Sequence, residues 1–259
     1  MTVLLAVDIG NSDTVLGLMV GEEVVASWRV ATDERRTADE WSVLVRGLLA
    51  DTEHGAALSG VAVCATVPAV LAEWREMIAT HFSSLASVIV EPGVRTGIPV
   101  LMDNPREVGA DRIVNALAAA RTYGAPAVVV DFGTATTFDV VNSDGAFVGG
   151  AIAPGIEISA EALGRRGAQL RRVELKRPRS VIAKNTVEAL QSGMVFGVAA
   201  QVEGMVARMV AELGVRPEEV RVVATGHLAP LVLAECGCFT AHAPWLTLHG
   251  LRMVHERNC

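Results

Sequence analysis

The chain has 259 residues, 51% of them hydrophobic and 20% charged, and this balance is typical of a folded globular protein rather than a disordered one. Its 22 Lys and Arg against 29 Asp and Glu give a formal net charge of −7. We therefore expect no binding to nucleic acid. The length allows one large domain or two compact halves.

The first ten residues are apolar, but they lack the basic flank of a signal peptide and are interrupted by Asp8. No other apolar run approaches the length of a membrane span, so we expect a cytoplasmic protein that does not bind membranes. A chain of this size does not need a disulfide framework, so its four cysteines are predicted to be reduced thiols. Cys236 and Cys238 lack a second Cys/His pair at ligand spacing, which favours packing over a zinc site.

Three predicted strands open the chain, each a run of apolar and β-branched residues. They cover 3–7, 14–20 and 24–28, and the first of them ends in Asp8-Ile9-Gly10. Helices and strands are predicted to alternate after this triplet.

The hydrophobic periodicity predicts helices over 38–49 and 68–81, the second with Pro68 at its start. It predicts buried strands over 60–67 and 88–91. The N-terminal part of the chain therefore has the order βββαβαβ.

A second segment repeats the layout of the first triplet. A strand over 127–130 ends in Asp131-Phe132-Gly133, and strands over 138–141 and 147–152 follow it. The repetition predicts two similar α/β halves, each with its own mixed β-sheet.

The C-terminal part continues with a long helix over 185–213 and a buried strand over 220–224. Between the two triplets a helix begins at about Asp111. We place the boundary in this region and predict halves at 1–115 and 116–259.

Each copy places Asp-x-Gly at the end of its first strand, which suits a phosphate site. Glycine lets the backbone approach a phosphate, and the aspartate offers a hard oxygen ligand for Mg²⁺. Asp-x-Gly is also a common β-turn, but its repetition after two buried strands favours the phosphate interpretation. A weaker third candidate, beside the nucleotide base, is the turn at 224–227. Neutral donors follow both aspartates: Asn11, Ser12, Thr14, Thr134, Thr136 and Thr137.

This layout resembles the actin-like ATPase superfamily, in which two ribonuclease-H-like halves hold ATP in the cleft between them. The resemblance implies a kinase or an ATPase. Neither Gly-x-x-x-x-Gly-Lys-Ser/Thr nor a strand–Gly-x-Gly-x-x-Gly–helix unit occurs in the chain, which excludes those nucleotide-binding folds.

The segment 104–115 places a glycine turn before an adjacent acid and base, Asp111 and Arg112, at the start of an apolar helix. On its own this segment is equally compatible with a functional acid and base and with a purely structural interpretation, in which Asp111 caps the helix and Arg112 is solvated. The combination of motifs along the chain decides between the two. These motifs are Asp8-Ile9-Gly10-Asn11-Ser12, Gly109-Ala110-Asp111-Arg112, Asp131-Phe132-Gly133-Thr134-Ala135-Thr136-Thr137, Gly149-Gly150-Ala151-Ile152-Ala153-Pro154-Gly155 and Lys184-Asn185-Thr186.

In this order the motifs resemble those of type III pantothenate kinases, from residue 3 to about residue 257. The resemblance implies ATP-dependent phosphorylation of pantothenate to 4′-phosphopantothenate, the first step of coenzyme A biosynthesis, by a homodimer with the active site at the subunit interface. It implies ATP, Mg²⁺ and a monovalent cation, K⁺ or NH₄⁺, as cofactors.

The resemblance also implies a role for each matching residue. Asp111 is the catalytic base, Asp8 is the Mg²⁺ ligand and Asp131 binds the monovalent cation. Thr186 reaches the substrate from the partner subunit. ATP phosphates are bound by Asp8, Ile9, Gly10, Asn11, Ser12, Asp13, Thr14, Val15, Gly133 and Thr134, and pantothenate is bound by Gly109, Ala110, Asp111, Arg112 and Thr186.

The residue types fit these roles. An unperturbed Asp has a pKa of about 3.9, so Asp111 is expected to be ionised at neutral pH and able to accept a hydroxyl proton. Arg112 can form a charge-assisted bond to the carboxylate of pantothenate, which would select acids.

Three positions depart from the family pattern: Met102 replaces a Tyr, Ala183 a Gly, and His227 a second Gly. Ala183 matters only if its backbone needs a positive φ. These departures keep two alternatives open. One is a catalytically silent relative with a regulatory or binding role, and the other is an actin-like kinase for another small hydroxylated substrate.

Overall fold

The computed structural model describes residues 2–166 and 173–259, with the side chain of Arg166 left out. Contacts group the chain into two compact units. The first consists of Met1–Ile98, Asp103–Ala118 and Trp245–Cys259, and the second of Pro99–Met102 and Ala119–Pro244. The domain boundary between residues 115 and 116 stays a prediction.

The first unit is built on a five-stranded mixed sheet in the order β3-β2-β1-β4-β5. The first three strands are antiparallel neighbours, and β4 and β5 continue parallel to β1. The strands are β1 (Val3–Ile9), β2 (Asp13–Val20), β3 (Glu23–Ala31), β4 (Gly60–Ala65) and β5 (Ala86–Ile89). Its helices are α1 (Ala38–Ala50), α2 (Pro68–His81), the start of α3 (Ala110–Thr122) and α7 (Leu246–Asn258).

The two faces of this sheet carry different elements. Odd-numbered residues of β1 and β4, such as Val7 and Val63, share a core with Trp41 of α1 and Trp74 of α2. Side chains of a strand alternate between faces, so the even-numbered residues point to the other face. Helix α7 packs there, since a Cβ at Gly60 would lie 2.6 Å from Nε2 of its His255.

The second unit repeats this topology with the order β10-β9-β6-β7-β8. Strands β6, β7 and β8 are antiparallel neighbours, and β9 and β10 continue parallel to β6. Both sheets therefore read 3-2-1-4-5 when their strands are counted within each unit, which confirms the predicted duplication. The strands are β6 (Ala127–Phe132), β7 (Ala135–Val141), β8 (Phe147–Pro154), β9 (Arg221–Thr225) and β10 (Ala241–His242). The helices are the end of α3, α4 (Ile156–Arg166), α5 (Thr186–Leu213) and α6 (Ala229–Val232).

The predicted helices α1, α2 and α5 are confirmed to within one residue at each end. Local signals fix their starts: Thr37 and Glu40 form a capping box before α1, Pro68 opens α2, and the Asn185 side chain accepts from the Glu188 N–H before α5. The strand predicted over 88–91 lies two residues earlier, at β5. Helices α4, α6 and α7 and strand β10 were not predicted.

Helix α5 also corrects the expectation that no second apolar run is long enough to span a membrane. Among the described residues it is the one helix whose length and composition would allow this. In the second unit it packs against β6, α4 and α6, and one of its sides, which includes Val195, Val202 and Val206, is buried.

Candidate active site

The first Asp-x-Gly turn joins β1 to β2 in the first unit. The Gly10 N–H donates to the Asp13 carbonyl at 3.0 Å, and a Cβ at Gly10 would lie 2.9 Å from the same oxygen. The Gly10 N–H therefore closes the turn, and contacts to a phosphate must come from other groups. The Ile9 side chain is fully buried in the core, so this residue can offer a ligand only its backbone.

The second turn, in the second unit, is also closed by its glycine but is one residue shorter: the Gly133 N–H donates to the Ala135 carbonyl, two residues on, at 3.1 Å, whereas the Gly10 N–H donates three residues on. Two glycines from distant segments pack against it. A Cβ at Gly155 would overlap the Thr134 carbonyl oxygen, and a Cβ at Gly226 would lie 2.5 Å from Asp131 Oδ1. Gly226 belongs to the third, weaker candidate turn, which is thus adjacent to Asp131.

Thr32 supports the first turn and was missed in the sequence. Its hydroxyl donates to the Gly10 carbonyl at 2.8 Å and lies 2.9 Å from the hydroxyl of Thr14, which is fully buried. Its N–H donates to the Ser12 carbonyl at 2.9 Å. A signal existed: β1 and β3 run in the same direction, so a residue directly after β3 lies at the same sheet edge as the turn.

Asp8 lies opposite Cys64 in the parallel register of β1 and β4. Both side chains point to the face away from α1 and α2, and the Cys64 thiol donates to Asp8 Oδ1 at 3.3 Å. Burial raises the pKa of the Cys64 thiol well above its usual value, and the negative charges of Asp8 and Asp111 raise it further. Cys64 is therefore a neutral thiol, in range of both carboxylates.

Asp111 lies in the first turn of α3, two residues after Gly109, whose carbonyl accepts from the Ile113 N–H at 3.3 Å. A Cβ at Gly109 would overlap Asp111 Oδ1, so any other residue here would displace the Asp111 carboxylate. Within the described part of the chain, Asp111 Oδ1 is buried and accepts no hydrogen bond.

Opposing effects set the pKa of the Asp111 carboxyl. Burial raises the pKa of its carboxyl, while the Arg112 backbone N–H, the Arg112 charge and the Asp111 N–H lower it. Asp111 is the second residue of α3 and so lies inside the helix rather than at its cap, and the raised pKa makes its carboxylate a better proton acceptor than an ordinary Asp.

The structure brings together some of the predicted residues and not others. In the first unit Asp8 and Asp111 both lie within electrostatic range of Cys64. Asp13 instead forms an exposed ion pair with Arg29 at 3.4 Å. In the second unit Thr186 is exposed as the first residue of α5.

The three departures from the family pattern have different surroundings. Ala183 has a negative φ, so glycine is not required there. Met102 lies against β8, with its sulfur 3.3 Å from the position of a Cβ at Gly149. His227 Nε2 is 3.9 Å from Glu157 Oε2. None of the three strains the backbone.

Among residues 2–166 and 173–259, no group of three or more His, Cys, Asp or Glu side chains could hold a metal ion. A cation at Asp8 or Asp131 would need further ligands from backbone or phosphate oxygens. Asp131 fits this requirement, because the Phe132 carbonyl oxygen and Asp131 Oδ1 both lie close to Gly226. Oxygen atoms of this kind suit hard cations.

Comparisons with known proteins agree with the sequence motifs. The family model described as Type III pantothenate kinase matches residues 4–208. A Type III pantothenate kinase from Nocardioides sp. is 72% identical over 259 residues, covering 98% of this chain and 99% of the relative. A Baf family transcriptional activator from Campylobacter jejuni has a similar fold, with a TM-score of 0.60, 18% identity and 98% of each chain covered. A ROK hexokinase from Thermus thermophilus has a TM-score of 0.54 at 13% identity, again over 98% of each chain.

Proposed function

The chain belongs to the type III pantothenate kinase family, which phosphorylates pantothenate with ATP in coenzyme A biosynthesis, and we propose that Asp111 and the turn at Asp8 form its reaction centre. The observation that carries this proposal is that Asp8 accepts a hydrogen bond from the buried Cys64 thiol, whose pKa is also raised by the negative charge of Asp111. A phosphate turn and an acid with a raised pKa then serve the same chemical step.

Asp111 acts as the general base in this proposal. It accepts the proton of the primary hydroxyl of pantothenate while the hydroxyl oxygen bonds to the γ-phosphorus and the bond from that phosphorus to ADP breaks. The raised pKa supports this role, because a stronger base takes the proton more readily. Phosphoryl transfer depends mainly on alignment and charge neutralisation, so positioning the hydroxyl matters as much as its deprotonation.

Arg112 follows Asp111 directly and is half-buried. We propose that its guanidinium binds the pantothenate carboxylate, because a planar cation can bind a carboxylate through two hydrogen bonds. Gly109 and Ala110 complete the substrate segment. Replacing Arg112 with Ala should raise the KM for pantothenate far more than the KM for ATP.

The phosphates of ATP are assigned to the two Asp-x-Gly turns, 8–15 and 133–134. Asp8 would hold Mg²⁺, which neutralises phosphate charge during transfer. Asp131 would hold K⁺ or NH₄⁺, supported by the carboxylate and carbonyl oxygens that lie close to Gly226.

We further propose a homodimer in the cytoplasm, with Thr186 completing the partner's substrate site. The second unit carries large hydrophobic side chains that are 42% to 83% exposed, in β8, in α4 and over residues 181–187, and exposed apolar side chains suit a subunit interface. They are Ile152, Ile158, Leu163, Val181, Ile182 and Val187. Light scattering should give twice the chain mass for the native protein and one chain mass for Ile182→Asp. The control Val43→Asp, which changes an exposed valine of α1, should remain a dimer.

The direct test is incubation of the purified protein with ATP, Mg²⁺, K⁺ and pantothenate. We expect equal amounts of ADP and 4′-phosphopantothenate, identified by mass spectrometry. Pantothenate binding without turnover would instead identify a silent relative, and faster ADP release with another hydroxylated compound would identify a different kinase.

A further inference from the structure

Cys64 has no part in the reaction described above, yet it is completely buried beside the reaction centre. Its sulfur is 3.3 Å from Asp8 Oδ1, and the parallel pairing of Asp8 with Cys64 sets both side chains on one face of the sheet. Strands β1 and β4 are both buried, so this register is fixed by the core.

The hydrogen bond runs from the thiol to the carboxylate. Cys64 has one hydrogen to donate, and its sulfur lies 3.3 Å from Asp8 Oδ1, which can only accept when the carboxylate is ionised. An S–H group is a weak donor, but a charged acceptor strengthens the bond. A donor on Oδ1 limits rotation of the Asp8 carboxylate.

A thiol suits this position better than a charged donor. Lys or Arg at residue 64 would neutralise Asp8 and compete with a divalent cation for it. A neutral donor orients the carboxylate and leaves its charge in place.

We infer that Cys64 is a positioning residue, whose thiol orients the Asp8 carboxylate toward the Mg²⁺ that accompanies ATP. This inference rests on the proposed role of Asp8. A buried cysteine that only fills space would act through its volume, whereas a positioning cysteine acts through its hydrogen-bond donor. Substitutions that separate donor from volume therefore decide between the two.

The experiment measures ATP binding by calorimetry with Mg²⁺ and with EDTA, for the native protein, Cys64→Ala and Cys64→Ser. We expect Cys64→Ala to weaken ATP binding in Mg²⁺ by about fivefold, which corresponds to one hydrogen bond, and to leave binding in EDTA unchanged. Cys64→Ser keeps a donor and should bind within about twofold of the native protein. In steady-state assays the Mg²⁺ concentration for half-maximal rate should rise in Cys64→Ala while the KM for pantothenate does not.

Controls separate this inference from the proposal on which it rests. Cys236→Ala removes a buried thiol from the second unit and should match the native protein. Asp8→Asn should lose most of the effect of Mg²⁺ on ATP affinity. If Asp8→Asn keeps that effect, Asp8 is not the Mg²⁺ ligand and the role of Cys64 is wrong with it.

Two results overturn the inference while leaving the role of Asp8 intact. One is native Mg²⁺-dependent binding in Cys64→Ala, and the other is an equal loss in Cys64→Ala and Cys64→Ser. If Cys64→Ala does not fold, Cys64→Thr and Cys64→Val replace it, since they match in shape and differ in the hydroxyl. Equal ATP affinities of these two variants in Mg²⁺ would also contradict a donor role.

Discussion

Each of the two Asp-x-Gly turns is closed by a hydrogen bond from its own glycine N–H, but the turns differ in the groups that pack around them. Around the first, side chains make the contacts: the Thr32 hydroxyl bonds to Gly10, and the Cys64 thiol bonds to Asp8. Around the second, the backbone approaches closely where Gly155 and Gly226 have no side chain. The duplicated halves therefore keep the turn but stabilise it through different contacts, by side-chain hydrogen bonds in one and by close backbone packing in the other. The two turns should respond to different kinds of substitution.

The largest effect should come from Asp111, whose negative charge reaches the Cys64 thiol beside the first turn. We expect Asp111→Asn to lower kcat by roughly 10²-fold with little change in pantothenate affinity, the scale usual for a general base. Steady-state kinetics with calorimetry would check this, and Asp103→Asn, which removes a nearby exposed acid, serves as the control. An unchanged kcat would exclude Asp111 as the base.

Asp111→Asn should also change the thermal stability of the protein. Because folding raises the pKa of Asp111, its ionised form destabilises the folded state at pH values above that raised pKa. The penalty disappears as the pH falls below the ordinary pKa of Asp. Asp111→Asn should therefore raise the Tm at pH 7 to 8 and lose this gain as the medium is acidified. A lower Tm at pH 7 would contradict the assigned direction of the shift.

Adding a methyl group should damage the second turn. Gly226 has φ +88° and a Cβ would lie 2.6 Å from the Phe132 nitrogen and oxygen, so Gly226→Ala should cost about 2 kcal/mol or more and weaken ATP binding. Urea unfolding and ATP titration would measure both. Gly145→Ala is the matched control, because Gly145 also has a positive φ but nothing within 4 Å of its Cβ position. If both variants lose the same free energy of unfolding, the loss comes from the positive φ alone and not from crowding at Gly226.

Removing a hydroxyl should damage the first turn, more mildly. Thr32→Val leaves the Gly10 carbonyl and the buried Thr14 hydroxyl without this partner, and we expect the KM for ATP to rise about fivefold to tenfold. Thr32→Ser should recover most of the loss. Thr52→Val, which removes a hydroxyl bonded to Leu49 in the same unit, should leave the KM unchanged.

The smallest effect should come from the cation assigned to Asp131. Replacing K⁺ with Na⁺ should lower the rate a few-fold, because the site is inferred to be selective for ion size, and the difference should vanish in Asp131→Asn. Coupled assays at constant ionic strength would test this. Equal rates of the native protein in both salts would count against a selective site.

The structural elements that were predicted correctly are those that short segments of sequence encode. The strand triplets, the Asp-x-Gly turns and helices α1, α2 and α5 follow from periodicity, capping and repetition within short segments. Helix α7 was missed because it carries Gly250 in its middle, and that glycine is needed only where the helix meets the carbonyl of Val114. The need for glycine here depends on a residue that is distant in sequence, so it cannot be recognised from the residues around Gly250.

Cys64 and Thr32, which bond to the first turn, were missed in the sequence for a related reason. The bond from Cys64 to Asp8 joins residues 56 positions apart and depends on the parallel register of two strands. In the sequence Cys64 is only one of four reduced thiols. Thr32 was within reach of prediction, because its place after the third strand puts it at the edge where the first turn lies.

A crystal structure with pantothenate, Mg²⁺ and a non-hydrolysable ATP analogue would test the central assignment most directly. We predict that the primary hydroxyl of pantothenate lies within hydrogen-bond distance of the Asp111 carboxylate and faces the terminal phosphate held at the Asp8 turn. A hydroxyl bound away from Asp111, or a triphosphate that does not contact residues 8–15, would contradict it.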